Sequence, residues 1–582
     1  MYFYIIAHTG EKFLDKYDII YREIIDKGDK QLRNKIKLQG LILGSVLLLA
    51  TMGFLLIKYN KSASNWYNET FASLLGEKAP KTLVVGRTLD SIGLDPAVVT
   101  DSESFQVTVN IYESLVKFDT TGSEVLPGLA ESWKMSEDGK TWVFKIRDNI
   151  EFHDGTKLNA SAVSFNFHRW MDLDSPYHAG HFSYWSYSFG GFPGIVKSVT
   201  ALSDYSLEIV LNEPYSPFLS VLTMPSFGIA SPEAIVKYNE NLKFNPVGTG
   251  PFKFVSWDKN IQITLEKNKN YWGSKAKVDQ IDFKKISPQI SKVDLLLNGE
   301  VHIVDGLNPS EVEQSRLNNR LKLYYRPYFN ISYMALNHTI EPFDNLKVRQ
   351  AISLLIDKNA LINNNPNPLT RPANTFLPPV LLGYHESIKS PEPDVQAAKR
   401  LLTEAGYPNG FTTALWVMDQ PRGYISNPVQ VAKFLQSELA KADITVDLHI
   451  IKWDTFIEVI KEGNHPMAIV GWNGDIVDPD NFLYTFFSSE NTKPGLALNY
   501  SFYENQTVDR LLVQARNVTD VEFRKSLYRE IQEIIASEVV SIPLTHTMTA
   551  IGSSDLVKGF EPHITGKEVL NQIELIDESD KD

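Results

Sequence analysis

The chain has 582 residues, a formal net charge of −13 and no cysteine. Single domains usually have roughly 50–250 residues, so two or three lobes are expected. The acidic balance disfavours nucleic-acid binding, because phosphate recognition needs a basic surface. The lack of cysteine excludes disulfides, a thiol nucleophile, cysteine-ligated zinc and iron–sulfur clusters.

An uncharged, largely apolar run at residues 38–57 is the first element of the chain. As a helix, this run can cross about 30 Å of hydrocarbon. Lysines and arginines are concentrated at 27–37, whereas only Lys58 and Lys61 follow closely after the run. The positive-inside rule therefore predicts a short cytoplasmic segment at 1–37, a transmembrane signal anchor at 38–57 and an extracellular remainder.

A cleaved signal peptide is the competing interpretation of the same run, with Ser62-Ala63-Ser64 as a small-residue cleavage site. The run is longer than the roughly 7–15 apolar residues of most signal peptides, which favours a retained anchor. Residues 58–81 then form a spacer before the first folded lobe.

The folded part begins with an apolar strand at 82–86 and a loop at 87–96. Val107, Ile111 and Leu115 recur at helical spacing and predict a helix that ends near Leu115. Strand and helix together indicate the start of an α/β lobe.

The segment 128–170 has the most distinctive pattern in the chain. Apolar and polar residues alternate at 142–147, which predicts a half-buried strand. A polar EDGK turn at 137–140 precedes this strand, and an HDG turn at 153–155 follows it. Asn159 or Ser161 can then cap a helix.

These elements, with Trp133 and the EDGK and HDG turns, closely resemble the signature segment of the peptide-type solute-binding proteins of ABC importers. That family comprises dipeptide, oligopeptide and nickel receptors. NPVGTGPF at 245–252 and NKNYWG at 268–273 resemble further family elements. The resemblance implies an α/β, bilobal periplasmic-binding-protein-like fold of type II, with an extra subdomain in the first lobe. Gram-positive relatives are commonly attached to the membrane through a lipid-modified cysteine, which this chain lacks.

On this basis the first lobe is predicted at 82–333, the second lobe at 334–545 and a C-terminal return to the first lobe at 546–582. The second lobe alternates helices with strands, which indicates a sheet covered by helices. Its predicted helices are 348–356, 396–405 and 429–442, and its predicted strands are 411–416 and 444–450.

A short peptide is an extended zwitterion, so its capture needs an anion at one end of the site and a cation at the other. The element at 469–482 resembles the family segment that holds the ligand's α-amino group, and Asp475 is the matching acid. Trp472 offers cleft surface there, and Gly471 and Gly474 allow the backbone to approach closely. Helix capping is the alternative role for Asp475, and it is the favoured role for Asp478 and Asp480.

The element at 416–424 resembles the loop of dipeptide receptors whose arginine binds the ligand carboxylate. Arg422 matches that arginine, and Tyr424 would add cleft surface. The planar guanidinium fits a carboxylate better than a lysine would. An ordinary surface arginine is the alternative reading of Arg422.

The chain has no hydrolase motif such as G-x-S-x-G or H-E-x-x-H, so an enzyme, a cofactor and a metal site are not expected. His178 and His181 leave a metal site as the minor alternative. They lie in an aromatic loop with Tyr184, which could instead cover the cleft, contact the membrane or pack as a subdomain surface.

We therefore expect a membrane-anchored, extracellular, monomeric receptor that captures di- or tripeptides between two lobes and delivers them to the permease subunits of an ABC importer. Its expected partners are the short peptide, the permease and, through the N-terminal helix, the membrane; nucleic acid is not among them. Two alternatives stay open: a receptor of the same fold for an oligopeptide, nickel chelate, heme or oligosaccharide, and a membrane-anchored peptide sensor.

Overall fold

The computed structural model describes residues 80–122, 124–364 and 367–577. The predicted cytoplasmic segment (1–37), the membrane anchor (38–57) and the spacer up to residue 79 lie outside these ranges. Within the described ranges, every helix is too short or too polar to span a bilayer.

Alternating apolar residues define the strands. In the strand Thr141–Ile146, for example, Trp142, Phe144 and Ile146 are buried, which confirms the predicted alternation. The strands in chain order are β1 Thr82–Arg87, β2 Val116–Phe118, β3 Val125–Pro127, β4 Ala130–Met135, β5 Thr141–Ile146, β6 Val196–Ser203, β7 Ser206–Leu211, β8 Phe252–Asp258, β9 Gln262–Lys267, β10 Gln280–Lys285, β11 Ile303–Asp305, β12 Leu321–Arg326, β13 Asn330–Leu336, β14 Thr370–Pro372, β15 Thr412–Met418, β16 Thr445–Ile451, β17 Met467–Asn473, β18 Ser541–Thr547, β19 Thr549–Ser554, β20 Val557–Lys558 and β21 Glu574–Leu575.

Polar side chains begin many of the helices. Asn159 Oδ1 accepts a hydrogen bond from Ala162 N (2.8 Å), so the first of the two predicted caps is the one used. The helices in chain order are α1 Ser102–Ile111, α2 Ala160–Met171, α3 Ser183–Phe189, α4 Phe218–Leu222, α5 Pro232–Tyr238, α6 Lys292–Leu297, α7 Pro309–Arg316, α8 Leu346–Leu355, α9 Lys358–Asn364, α10 Val395–Glu404, α11 Pro428–Ala440, α12 Trp453–Lys461, α13 Asp480–Phe487, α14 Gln506–Asn517 and α15 Val521–Ser537.

Two large mixed sheets and one smaller sheet organise these elements. The first sheet has seven strands in the order β12-β19-β11-β1-β10-β9-β8, with β1 parallel to β10 and β11. The second sheet has six strands in the order β14-β18-β13-β17-β15-β16, with β15 parallel to β16 and β17. A four-stranded antiparallel sheet, β4-β5-β7-β6, forms the subdomain that interrupts the first sheet in sequence.

The chain passes from the first large sheet to the second at residues 327–329 and returns at Met548. Strand β13 pairs with β17 from Asn330 onward, so the first passage lies before the predicted boundary after residue 333. The return lies just after the predicted boundary at residue 545. These two short passages connect the two large sheets within the described chain.

Helix α1 ends at Ile111, before the predicted end near Leu115, and the backbone of the next residue, Tyr112, is extended. The Glu113 carboxylate accepts hydrogen bonds from Thr249 Oγ1, Tyr271 Oη and Trp272 Nε1, each at 2.8 Å. One acid therefore binds the two sequence elements NPVGTGPF and NKNYWG together.

Candidate ligand-binding site

Asp475 lies two residues after the end of β17, where the second sheet faces the subdomain. Its side chain keeps 15 % of its surface exposed. Burial raises the pKa of the Asp475 carboxyl, while the Lys567 ammonium and the Tyr184 hydroxyl oppose that rise. The next residue, Ile476, is 3 % exposed and belongs to the apolar core of the subdomain. The acid is thus fixed where the two lobes meet, with a limited opening to solvent.

Two side chains from distant segments contact the Asp475 carboxylate. Tyr184 Oη, on α3 of the subdomain, donates a hydrogen bond of 3.2 Å to Oδ1. Lys567 Nζ, in the C-terminal segment, lies 3.6 Å from the same oxygen. Phe105 of α1 packs edge-on to the Tyr184 ring at 5.7 Å, and its own ring centroid is 5.3 Å from Lys567 Nζ. Four parts of the chain therefore meet at this acid.

Arg422 lies in a tight turn after β15, closed by hydrogen bonds of 2.9 Å in both directions between the backbones of Arg422 and Ile425. The guanidinium carbon lies 3.5 Å from the centroid of the Trp453 ring, in a cation–π contact. The Arg422 charge also lowers the pKa of Glu103, although burial raises that pKa more strongly. Glu103 lies on α1, so the Arg422 charge is within electrostatic range of the helix that also supplies Phe105.

Both charged residues predicted for the ligand ends act, directly or through a neighbour, on one helix of the first lobe. The Arg422 charge acts on Glu103, the second residue of α1, and the Tyr184 ring that binds Asp475 packs against Phe105, two residues later on the same helix. A short zwitterion needs a cation and an anion for its two ends, and the part that Arg422 and Asp475 take in binding one stays a prediction.

The remaining predicted site residues are tightly packed within the second lobe. Tyr424 is only 5 % exposed, and its hydroxyl donates to Met418 Sδ at 3.7 Å. A Cβ at Gly471 would lie 2.3 Å from Tyr424 Cδ2, and one at Gly474 would lie 2.3 Å from Phe329 Cζ. Both glycines are therefore needed by the protein's own packing. Their contact with a ligand stays a prediction.

Trp472 is half-buried, and two contacts fix its indole ring. Its indole Nε1 donates to Asn481 Oδ1 at 3.2 Å, and its ring meets Phe486 edge-on at 6.1 Å. The same Asn481 oxygen accepts a hydrogen bond of 2.9 Å from the backbone N–H of Asp475. Asn481 therefore fixes both the predicted aromatic surface and the predicted acid.

The capping role favoured for Asp478 and Asp480 describes only part of what these residues do. Asp478 Oδ1 accepts from the backbone N–H of Asp480 (2.9 Å), but the residue at the N-terminal boundary of α13 is Pro479, which has no side-chain cap. Both carboxylates instead form bidentate pairs, Asp478 with Arg524 and Asp480 with Arg516, at 2.7–2.9 Å. The arginines come from α14 and α15, so sequence proximity to α13 was misleading.

Three contributors to the site carried no clear signal in the sequence: Lys567, Phe105 and Trp453. In the sequence, Tyr184 stands out only as one member of an aromatic loop. Part of that loop does reach the second lobe, because Tyr187 Oη hydrogen bonds to Thr485 Oγ1, whereas Trp185 is buried in the subdomain core. Within the described residues, no group of three or more histidine, aspartate and glutamate side chains is arranged to hold a metal ion.

Comparison with known proteins decides the family. A family model described as "Bacterial extracellular solute-binding proteins, family 5 Middle" matches residues 124–494. The chain belongs to this family. The bilobal α/β periplasmic-binding-protein fold is also confirmed: a Helicobacter pylori periplasmic binding protein, DppA, solved in complex with the peptide STSA, is similar with a TM-score of 0.75 and 34 % identity, over 85 % of this chain and 98 % of that one.

The match to curated relatives of this solute-binding protein extends over nearly the whole length of each relative. The dipeptide-binding protein of Escherichia coli is 31 % identical over 85 % of this chain and 95 % of its own. Heme-binding protein A of Haemophilus influenzae is also 31 % identical, over 81 % and 88 % of the two chains. A dipeptide-binding protein of a Pseudoalteromonas species, solved with Met-Leu, has a TM-score of 0.76 and 28 % identity over 85 % of this chain and all of that one.

Proposed function

We propose that this solute-binding protein captures di- or tripeptides between its lobes and delivers them to the permease of an ABC importer. Asp475 binds the ligand's ammonium and Arg422 binds its carboxylate, with Trp472, Tyr424, Gly471 and Gly474 around them. The observation that carries the proposal is the Asp475 carboxylate, which is held between the lobes yet keeps 15 % of its surface open. Lys567 stands 3.6 Å from one oxygen of this carboxylate, and the open part of its surface can take a second cation, which a peptide N-terminus supplies.

Similar proteins support a peptide as the ligand. The H. pylori protein was solved with STSA and the Pseudoalteromonas protein with Met-Leu. The H. influenzae relative is named for heme, so a receptor of this fold for another solute is the second candidate. A membrane-anchored peptide sensor is the third, because residues 1–57 would carry a cytoplasmic segment and an anchor.

Isothermal titration calorimetry on the full-length chain tests the peptide site and distinguishes it from a site for another solute. We expect Met-Leu to bind and N-acetyl-Met-Leu to bind at least tenfold more weakly, because acetylation removes the ammonium. Asp475→Asn should weaken Met-Leu binding by a similar factor, since one partner of a desolvated charge pair is lost. Asp447→Asn, at a side chain that is 76 % exposed, is the matched control. Equal affinity for both ligands would refute the ammonium site.

A further inference from the structure

Lys567 places a second charge inside the candidate site. Its side chain is only 7 % exposed, and its ammonium lies 3.6 Å from Asp475 Oδ1 and 5.3 Å from the Phe105 ring centroid. Lysines are rarely buried unless they are paired, and Asp475 is the partner here. The end of the site assigned to the ligand's ammonium thus presents an anion and a cation side by side.

Glu568, the acidic residue that follows Lys567 in sequence, is already paired with an arginine. Glu568 Oε1 accepts a hydrogen bond of 3.1 Å from Arg326 Nε. Lys567 is therefore directed at Asp475 and at whatever a ligand places beside that acid.

A ligand bound by its ammonium at Asp475 must place its neighbouring atoms close to Lys567. In a peptide with an apolar first residue, the nearest acceptor is the neutral carbonyl of the first peptide bond. A carboxylate near the ammonium would offer a charged acceptor instead. An ammonium attracts a carboxylate more strongly than a neutral carbonyl, because two opposite charges add Coulomb attraction to the hydrogen bond.

We propose that Lys567 makes this receptor selective for ligands that carry a carboxylate beside their terminal ammonium. The inference rests on the proposed function, in which Asp475 binds that ammonium. Two kinds of ligand share this chemistry. In one, the first residue is aspartate or glutamate; in the other, a γ-glutamyl group carries the ammonium and a free carboxylate on the same carbon.

Calorimetry on the full-length chain with matched ligands tests the proposal. Glu-Leu is compared with Gln-Leu, and γ-Glu-Leu with its α-carboxamide, so that each pair differs only in the charge of one group. We expect at least one acidic ligand to bind at least tenfold more tightly than its neutral counterpart. The pair that shows this preference identifies the source of the carboxylate.

In Lys567→Met, the ratio of the affinities for the acidic ligand and its neutral counterpart should fall close to one, while Gln-Leu still binds. Lys567→Arg should retain the wild-type ratio. Lys558→Met, at an exposed residue of the same C-terminal segment, should leave it unchanged. Lys567→Gln serves as a second neutral variant if Lys567→Met does not fold. Wild-type protein with no preference in either pair, or a preference that survives both neutral variants, would overturn the inference. If the proposed function itself is wrong, Gln-Leu will not bind at all, and this result distinguishes its failure from failure of the inference.

Discussion

The Tyr184 hydroxyl donates a hydrogen bond of 3.2 Å to the Asp475 carboxylate, across 291 positions of sequence and from one lobe to the other. The bond supports the ionised form of the acid, because it lowers the pKa that burial raises. Tyr184 is itself half-buried, and desolvation together with the Asp475 charge raises the pKa of its phenol well above the usual value. The phenol therefore remains a donor at any physiological pH.

Replacement of Tyr184 by phenylalanine should weaken peptide binding without unfolding the protein. A hydrogen bond to a charged group contributes about 1.5–3 kcal/mol, so we expect a loss of roughly tenfold or more in affinity. Calorimetry with Met-Leu measures it. Tyr205→Phe, at a residue that is 37 % exposed, is the control. Affinity that does not change in Tyr184→Phe would show that the tyrosine does not support the ligand-binding form of Asp475.

Arg422→Met should reduce the affinity for dipeptides by at least tenfold, because a ligand carboxylate would lose its charged partner. C-terminally amidated dipeptides lack that carboxylate and should lose much less. Arg400→Met, at an exposed residue of α10, is the matched control. Binding of penta- to octapeptides as tightly as dipeptides, unaffected by Arg422→Met, would place this arginine outside the site.

Gly471 and Gly474, which precede Asp475, should respond differently when the side chain that each would meet is made smaller. A Cβ at Gly474 has its three nearest contacts with the Phe329 ring, so Phe329→Leu should recover part of the stability lost in Gly474→Ala. A Cβ at Gly471 would also meet the backbone oxygen of Ile331 at 2.4 Å, so Tyr424→Leu should not rescue Gly471→Ala. Overpacking of this kind typically costs about 1–3 kcal/mol. Chemical denaturation of the four variants distinguishes the two cases.

His465 should make the protein less stable in acid. It is fully buried, and burial lowers its pKa from 6.5 to about 4, while its Nε2 hydrogen bonds to the backbone oxygen of Tyr500 at 2.8 Å. Between pH 6.5 and pH 4 the unfolded chain takes up a proton that the folded chain excludes. The contribution of the neutral His465 to the free energy of unfolding is therefore complete above pH 6.5 and is lost as the pH falls towards 4.

A shift of that size corresponds to about 3 kcal/mol in the free energy of unfolding. The difference in unfolding free energy between wild type and His465→Gln should thus shrink by about that amount from pH 7 to pH 4. Denaturant titrations at several pH values measure this difference. Parallel pH profiles for the two proteins would contradict the assignment.

Local patterns in the sequence were sufficient to predict the main strands and helices and the family. The alternation at 142–147 and the helix capped by Asn159 both have their predicted form, because each depends on residues close in sequence. Asp475 and Arg422 could be singled out only through motif resemblance. Their environment could not be predicted, because Tyr184 and Lys567 come from segments about 290 and 90 positions away. The same limit applies to Asp478, whose partner Arg524 lies 46 positions further along the chain.

The two short passages between the large sheets, at 327–329 and at Met548, restrict how the lobes can move. A rigid body joined to another at two points can only turn about the line through those points, so opening is described by one angle. All distances between the lobes should then change together. Because the chain has no native cysteine, pairs of introduced cysteines can carry fluorescent labels at defined positions. Any such pair placed across the lobes should report the same ligand-titration midpoint.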